Sequence, residues 1–235
     1  VHEEELKQKG CNIVRITPRS ANVKKYISEL KELFKNNKYD YIYFNLITLS
    51  GFEPICIANK YSDAKIIIHS HTAGSQGRSD LNIKTKLLHF VGKVKTRNID
   101  SIKFACSENA GRYMFGSSEY TVLNNSVDIE KFAFNQECRK EIRDEFNIKD
   151  DELLIGLIAR LEAVKNPLFL IDVFYEIKKI NSKAKLLIVG DGSLKNEVEQ
   201  KAKKCDIQES VMLPGVRNDA YKFYSAFDTF VMTSL

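Results

Sequence analysis

Short apolar runs alternate with amphipathic stretches along nearly the whole chain, and most apolar runs end in a polar or glycine-containing turn. The clearest unit lies between Leu153 and Ser193. Leu153 to Ala159 is continuously apolar and too short for a long helix, so it reads as a strand buried on both faces. A cationic loop bracketed by Arg160 and Lys165 follows, and Asn166-Pro167 reads as an N-cap with proline at the first helical position. Leu170, Val173, Phe174 and Ile177 recur at i, i+3, i+4 and i+7, the stripe of a helix lying on a sheet. Lys185 to Val189 is a second buried strand, ending in Gly190-Asp191-Gly192 with Ser193 placed to cap another helix. A strand, helix, strand, helix unit implies a parallel sheet, whose ligands sit beyond the carboxyl ends of the strands.

The earlier residues repeat the alternation. Val1 to Gly10 reads as a helix end closed by glycine, Cys11 to Thr17 as a strand and Pro18 to Ser20 as a turn. Val23, Ile27, Leu30 and Phe34 form a helical stripe before an aromatic and β-branched strand, Tyr39 to Asn45. Gly51 to Lys60 reads as a short helix, Lys65 to His69 as a strand, and the segment through Asp80 as a polar loop expected to move. Leu81 to Arg97 is a basic amphipathic helix, Lys103 to Cys106 a strand, Glu108 to Phe115 a helix capped by Ser107, and Tyr120 to Leu123 a strand. A charged helix, Gln136 to Asn147, and the solvated link Lys149 to Glu152 then interrupt the pattern. They suggest two domains, residues 1–147 and 148–235. Val231 to Leu235 reads as a buried strand with no helix after it, and the first residue is Val1, so the chain is expected to be cut at both ends.

Composition changes this picture little. A chain of 235 residues, 43% apolar and 29% charged, can bury a large core. A net charge of +5 spread along the sequence does not point to nucleic acid, and an anionic small ligand or membrane surface would suffice. The five cysteines are far apart, odd in number and without a CxxC pair, which suits a reducing cytosol better than a disulfide framework or zinc site. No apolar run is long enough to span a bilayer.

Four features could carry chemistry. Arg160 and Lys165, between a buried strand and a helix amino terminus, suit a diphosphate, though they also read as a solvated basic loop. Gly190-Asp191-Gly192 is either a tight turn or a place where backbone approaches a ligand, and it lacks the third glycine of the dinucleotide fingerprint. His69 and His71 could donate a hydrogen bond or act as a general base, or simply bond to backbone; no third ligand nearby in sequence suggests zinc. In Lys84 to Arg97, Leu87, Leu88, Val91 and Val94 form a stripe flanked by Lys84, Lys86, Lys93, Lys95 and Arg97. The favoured reading is a surface helix packed on its own domain, and a membrane-facing role would need apolar residues left over after packing.

Seven segments, in order, resemble those of glycosyltransferase family 4, enzymes of the GT-B fold that include those of bacterial capsule and exopolysaccharide assembly. IIIHSH, FACSENAGRYMFG and NNSVDIEKF are similar to first-domain segments. IARLEAVKNP, KLLIVGDGSLKNEVE, VMLPGVRND and AFDTFVMTSL are similar to second-domain ones, with Ala159 where the family usually has glycine. The resemblance implies two Rossmann-like domains with parallel sheets facing a cleft, both incomplete here. Donor nucleotide sugar, UDP- or GDP-linked, would be held mainly by the second domain, and a saccharide or polyprenyl-linked acceptor by the first. Arg160 and Lys165 would bind the donor diphosphate, Gly190 and Gly192 would line its cleft, and the backbone near Val216 and Arg217 would meet the base. His71, or failing that His69, would lie near the transferred sugar as the catalytic group. Such enzymes retain anomeric configuration without a bound metal or other cofactor, their cations supplying the electrostatic stabilisation. They work in the cytoplasm, with room for contact with the inner face of the cell membrane. The family's paired-glutamate segment would begin just after Leu235 and its first glycine-rich loop would precede Val1, so turnover by this fragment is in question. The competing readings are a sugar-nucleotide epimerase of the same shape and a non-catalytic nucleotide-sugar-binding accessory subunit.

Overall fold

In a computed structural model, which describes residues 3–72 and 82–235, the chain divides into two compact α/β units, residues 1–125 and 126–235. The first contains α1 (Glu3–Gln8), α2 (Val23–Asn36), β1 (Tyr41–Leu46), a 3-10 turn (Leu49–Gly51), α3 (Glu53–Tyr61), β2 (Lys65–Ser70), α4 (Ile83–Thr96), β3 (Ser101–Ala105), α5 (Glu108–Phe115) and β4 (Thr121–Val122). The strands form one parallel sheet in the order β1-β2-β3-β4. Its core joins Leu30 and Phe34 of α2 and Ile55 and Ala58 of α3 to Ile66 and Ile68 of β2.

Three expectations for this unit change. Cys11 to Thr17 is not a strand. Its backbone has no ladder to join, and the Thr17 N–H is taken by the Glu29 carboxylate of α2 at 2.6 Å. Val23 lies on the exposed side of α2, where Leu30 and Phe34 alone are fully buried. Helix α4 does pack on its own unit, with His89, Gly92 and Thr96 buried; of the expected stripe, Leu88 and Val91 are half-buried while Leu87 and Val94 stay exposed. Gly92 explains the close approach: a Cβ there would sit 2.1 Å from the Leu49 carbonyl oxygen. His89 Nδ1 accepts the Leu49 N–H at 3.0 Å, and its ring stacks on Tyr113. The loop expected between Ala73 and Asp80 lies outside the described residues.

The second unit contains α6 (Ile129–Phe132), α7 (Gln136–Glu145), β5 (Leu154–Ile158), a 3-10 turn (Ala163–Lys165), α8 (Pro167–Ile180), β6 (Lys185–Val189), α9 (Lys195–Lys204), a 3-10 turn (Gln208–Ser210), β7 (Val211–Gly215), α10 (Ala220–Ala226) and β8 (Thr229–Phe230). Its parallel strands run in the order β7-β6-β5-β8. The period of two along β5 and β6 divides their side chains between two cores. Ile155, Leu157, Leu186 and Ile188 face Leu170, Ile171 and Phe174 of α8, while Leu154, Leu187 and Val189 face Ile142 of α7 and Phe223 of α10. Both strands are buried on both faces, as their unbroken apolar sequence predicts. Gly156 is needed in β5 because a Cβ would meet the Phe227 ring at 2.2 Å.

The charged helix expected to close the first domain therefore packs within the second unit. Arg139 and Arg143 of α7 donate to the Ala226 carbonyl and to the Asp228 carboxylate. Val231 to Leu235 is not the expected strand, since β8 ends at Phe230. The Val231 N–H still reaches the Gly156 carbonyl, but the chain then bends over the loop after β5, where the Leu235 N–H meets the Val164 carbonyl at 3.1 Å. No helix among the described residues is long and apolar enough to cross a membrane.

Asp228 holds α7, β5 and the start of β8 together, accepting from Arg139 at 2.7 Å, Arg143 at 3.2 Å and the Leu154 N–H at 2.7 Å. Burial alone would raise its carboxyl, but the Leu154 N–H and the two arginines outweigh it and hold the group below the usual carboxylate range. A depressed carboxyl adds stability above its unfolded pKa, so this contribution is present at neutral pH and is lost as pH falls below about 4. Asp228→Ala leaves Arg143 buried without its counter-charge and is expected to destabilise the second unit by about 3 kcal/mol at pH 7. Urea unfolding of both proteins at pH 7 and in acid checks this, and the difference should shrink in acid.

Candidate functional site

From β5 the chain steps outward to β6 and β7, then returns to the other side of β5 for β8. Connections diverge at that point, and the carboxyl end of β5 is where such a sheet leaves a crevice. Arg160, exposed, and Lys165, half-buried, occupy the loop there, directly ahead of α8. Neither has an acid within ion-pair distance among the described residues. Glu162, the acid between them, is engaged elsewhere. Its carboxylate accepts from the Ser193 hydroxyl at 2.9 Å and from the Ser193 N–H at 3.4 Å. These bonds, with Arg160 nearby, hold the Glu162 carboxyl below its ordinary value. Ser193 thus tethers two loops instead of capping α9, whose N-cap position is Leu194. Pro167 stands at the first helical position as expected, but Asn166 is left-handed (φ 47°) and its side chain caps nothing, so the amino end of α8 has no side-chain cap. The Thr233 hydroxyl braces the loop, lying 3.0 Å from the Lys165 and 3.1 Å from the Asn166 carbonyl oxygens.

The loops after β5 and β6 are zipped together. The Ala159 N–H bonds the Val189 carbonyl, Leu161 the Asp191 carbonyl and Leu194 the Leu161 carbonyl, at 3.0, 3.0 and 2.9 Å. Gly190 has φ 138°, and a Cβ on it would lie 2.0 Å from the Ala159 carbonyl oxygen; a Cβ on Gly192 would lie 2.5 Å from that of Leu161. The backbone that these glycines let come close is that of the neighbouring loop. Arg160, Lys165, Gly190 and Gly192 thus belong to one structure at the carboxyl ends of β5 and β6. Past β7, Val216 is exposed. The Arg217 guanidinium grips both oxygens of Glu145 and both of Asp219 and lies over the Phe223 ring at 5.2 Å. Asp219 and Glu145 push its pKa upward. That side chain is committed to structure, so the ligand contact expected here would fall to the backbone at Val216 and Arg217.

The histidines stand at the carboxyl end of β2 in the first unit. His69 is buried, its Nδ1 sharing a short hydrogen bond with the Tyr43 hydroxyl, and its ring meets Phe104 edge-on. Its Nε2 is buried without a partner in hydrogen-bond geometry. Burial first, and then the adjacent His71, lower its pKa against an opposing pull from the Leu123 backbone, so His69 is neutral at pH 7. His71 is exposed; its Nε2 lies 2.7 Å from Asn45 Oδ1, and the two imidazoles are 4.0 Å apart. Sequence reasoning missed four partners: Tyr43, Asn45, Glu162 and Ser193. Asn45 could have been found, because a polar residue near the carboxyl end of an aromatic run stands in register with His69 once β1 and β2 are paired. The bond from Ser193 to Glu162 joins loops far apart in sequence and had no local signal.

Comparison with known proteins follows this division. Residues 138–235 match the family described as "Glycosyl transferases group 1". EpsF of Bacillus subtilis (strain 168), which carries a glycosyltransferase name, is 26% identical over 242 residues, covering 100% of this chain and 62% of that protein. An Escherichia coli protein named UDP-Gal:alpha-D-GlcNAc-diphosphoundecaprenol alpha-1,3-galactosyltransferase is 28% identical over 90% of this chain and 56% of its own length. The crystal structure of Anabaena HepE in complex with UDP-glucose superposes with a TM-score of 0.77 at 17% identity, covering 99% of this chain and 63% of that one. The chain thus spans about three fifths of the length of these proteins. Its fold is that of GT-B glycosyltransferases, and residues 138–235, whose β5 and β6 loops build the cationic crevice, are the part of it that is similar to the glycosyltransferase group 1 family.

Proposed function

We propose that the protein carrying this chain is a retaining glycosyltransferase of bacterial surface-polysaccharide assembly. It moves a sugar from a UDP- or GDP-linked donor to a saccharide or polyprenyl-linked acceptor. The observation that carries this reading is the pair Arg160 and Lys165, cations without acidic partners among the described residues, beyond the carboxyl end of β5 and ahead of α8. Breaking the bond between the sugar and the diphosphate leaves negative charge on the phosphate oxygens. Two side-chain cations and the positive end of a helix dipole, held on a braced loop, stabilise that charge as it develops. In this reading they do what a divalent ion does in other transferases, and no metal is required. The zipped loop at Gly190 and Gly192 lines the donor, and the backbone at Val216 and Arg217 meets the base. His71, exposed and oriented by Asn45, is the catalytic group of the acceptor-side unit, with the neutral His69 packed behind it.

Relatives support the two substrate classes. HepE was crystallised in complex with UDP-glucose, and the Escherichia coli relative has diphosphoundecaprenol in its name. In this reading the transfer takes place in the cytoplasm, at the inner face of the membrane that holds such an acceptor.

Arg160→Ala and Lys165→Ala are each expected to weaken binding of UDP or GDP by about 1 to 3 kcal/mol, the scale of a lost charged hydrogen bond. Calorimetric titration of the full-length protein measures it, and unchanged affinity in both variants removes the donor-site assignment. His71→Ala should lower kcat more than donor affinity, because it acts on the transfer step and not on the diphosphate. Steady-state kinetics with a saturating acceptor separate the two, and equal losses would make His71 a structural residue.

A further inference from the structure

Both loops that build the cationic crevice also carry an acid, Glu162 after β5 and Asp191 after β6. An acid two residues from Arg160 is an ordinary ion-pair partner, and a carboxylate free in the crevice would also repel an anion entering it. Neither acid is free. Asp191 Oδ1 accepts the N–H of the next residue, Gly192, at 2.7 Å. Glu162 stands one residue ahead of the Ala163–Lys165 turn, where a carboxylate ordinarily accepts from the N–H groups the turn leaves open, yet its side chain caps nothing there. It reaches across to the other loop instead.

The two bonds from Ser193 occupy both oxygens of that carboxylate. The hydroxyl donates to Oε2 at 2.9 Å and the N–H to Oε1 at 3.4 Å. Ser193 is held in place by its neighbours. On one side the Leu194 N–H bonds the Leu161 carbonyl at 2.9 Å, and on the other Gly192 packs so closely on the same carbonyl that a Cβ would sit 2.5 Å from its oxygen. The residue between them therefore faces the residue after Leu161, which is Glu162. Two donors aimed at one carboxylate hold it more firmly than an exposed ion pair would. Accordingly, the hydrogen bonds from Ser193 lower the Glu162 carboxyl more than the charge of Arg160 does.

We propose that Ser193 is a positioning residue of the donor site: by holding Glu162 across the two loops, it keeps that carboxylate from neutralising Arg160 and from opposing an incoming diphosphate. Ser193 touches no ligand in this role and acts through Glu162. The inference rests on the reading of Arg160 and Lys165 as the diphosphate site, and it adds what sets the strength of that site. The loops do not need the Ser193 bonds to stay together, because three backbone hydrogen bonds, from Ala159, Leu161 and Leu194, already join them. What the serine adds is the placement of one negative charge.

The experiment is calorimetric titration of the full-length protein with UDP and with inorganic pyrophosphate, for wild type, Ser193→Ala, Glu162→Gln and the double variant. Ser193→Ala should weaken both ligands at least about threefold, because the released carboxylate pairs with Arg160 or repels the ligand. Glu162→Gln keeps an acceptor for Ser193 but not the charge, so it should bind as tightly as wild type or more tightly. The double variant should recover wild-type affinity, since the charge that Ser193 restrains is gone. Thermal unfolding checks that each variant is folded. A loss that persists in the double variant makes Ser193 a structural staple and overturns the proposal. So does unchanged affinity in Ser193→Ala, or a loss in Glu162→Gln alone, which would put Glu162 among the ligand's own contacts. A ligand-free measurement separates this inference from the donor assignment. Carboxyl-carbon NMR follows the titration of Glu162, and Arg160→Ala should raise its pKa more in the Ser193→Ala background than in the wild-type one, because only the released carboxylate pairs with Arg160. Equal effects in the two backgrounds overturn the hold on Glu162. The unequal effect in a protein that binds neither ligand would count against the donor site and support that hold.

Discussion

Strand β5 has a parallel neighbour on each side and a helical layer on each face, and most of the second unit follows from that placement. Full burial requires an apolar run, satisfied by Leu154, Ile155, Leu157 and Ile158 around a glycine that admits the Phe227 ring. Parallel pairing on both sides forces the chain to leave β5 in one direction and return from the other, so the connections separate at its carboxyl end. The crevice there is a consequence of topology. What the sequence adds is a loop carrying two cations and a proline that starts the next helix.

The disposition of charge separates paired from unpaired cations in this unit. Arg139, Arg143 and Arg217 are all held by carboxylates or carbonyls, at Asp228, Ala226, Glu145 and Asp219. Glu162 is kept from neutralising the cations beside it by Ser193. Arg160 and Lys165 remain without acids among the described residues, on a loop stiffened by the zipper to Gly190 and by Thr233. A preorganised loop that presents uncompensated charge costs stability in the free protein. In the proposed reading an anionic ligand offsets that cost on binding, and a developing anion offsets more of it.

In the first unit the same principle operates through packing. The Leu49 turn has its N–H satisfied by a buried imidazole and its backbone approached by a glycine, so the α4 face that packs is the one with His89 and Gly92. Hydrogen bonding and close backbone contact outrank the hydrophobicity of the helix in choosing its orientation.

Much of this architecture was legible in the sequence. The alternation of short apolar runs with helical stripes determined a parallel α/β fold, because only strands covered on both faces are continuously apolar and only helices on a sheet repeat at 3.6 residues. The positions of β5, β6 and α8, and of Arg160 and Lys165 between them, followed from local pattern. Periodicity shows that a stripe exists but not which side the sheet will take, so the direction of α4 was decided by its contacts with the Leu49 turn. Cys11 to Thr17 has the composition of a strand, yet a strand needs a neighbouring edge, and the tertiary structure does not bring one to it. The division of the chain at residue 125 and the attachment of α7 to Asp228 depend on bonds between residues more than eighty positions apart. Likewise the partners of the two histidines and of Glu162, and the capture of the Arg217 side chain, exist only after the strands are in register. A local pattern encodes the elements and the groups they carry; which of those groups are left unpaired is settled by contacts that no local pattern contains.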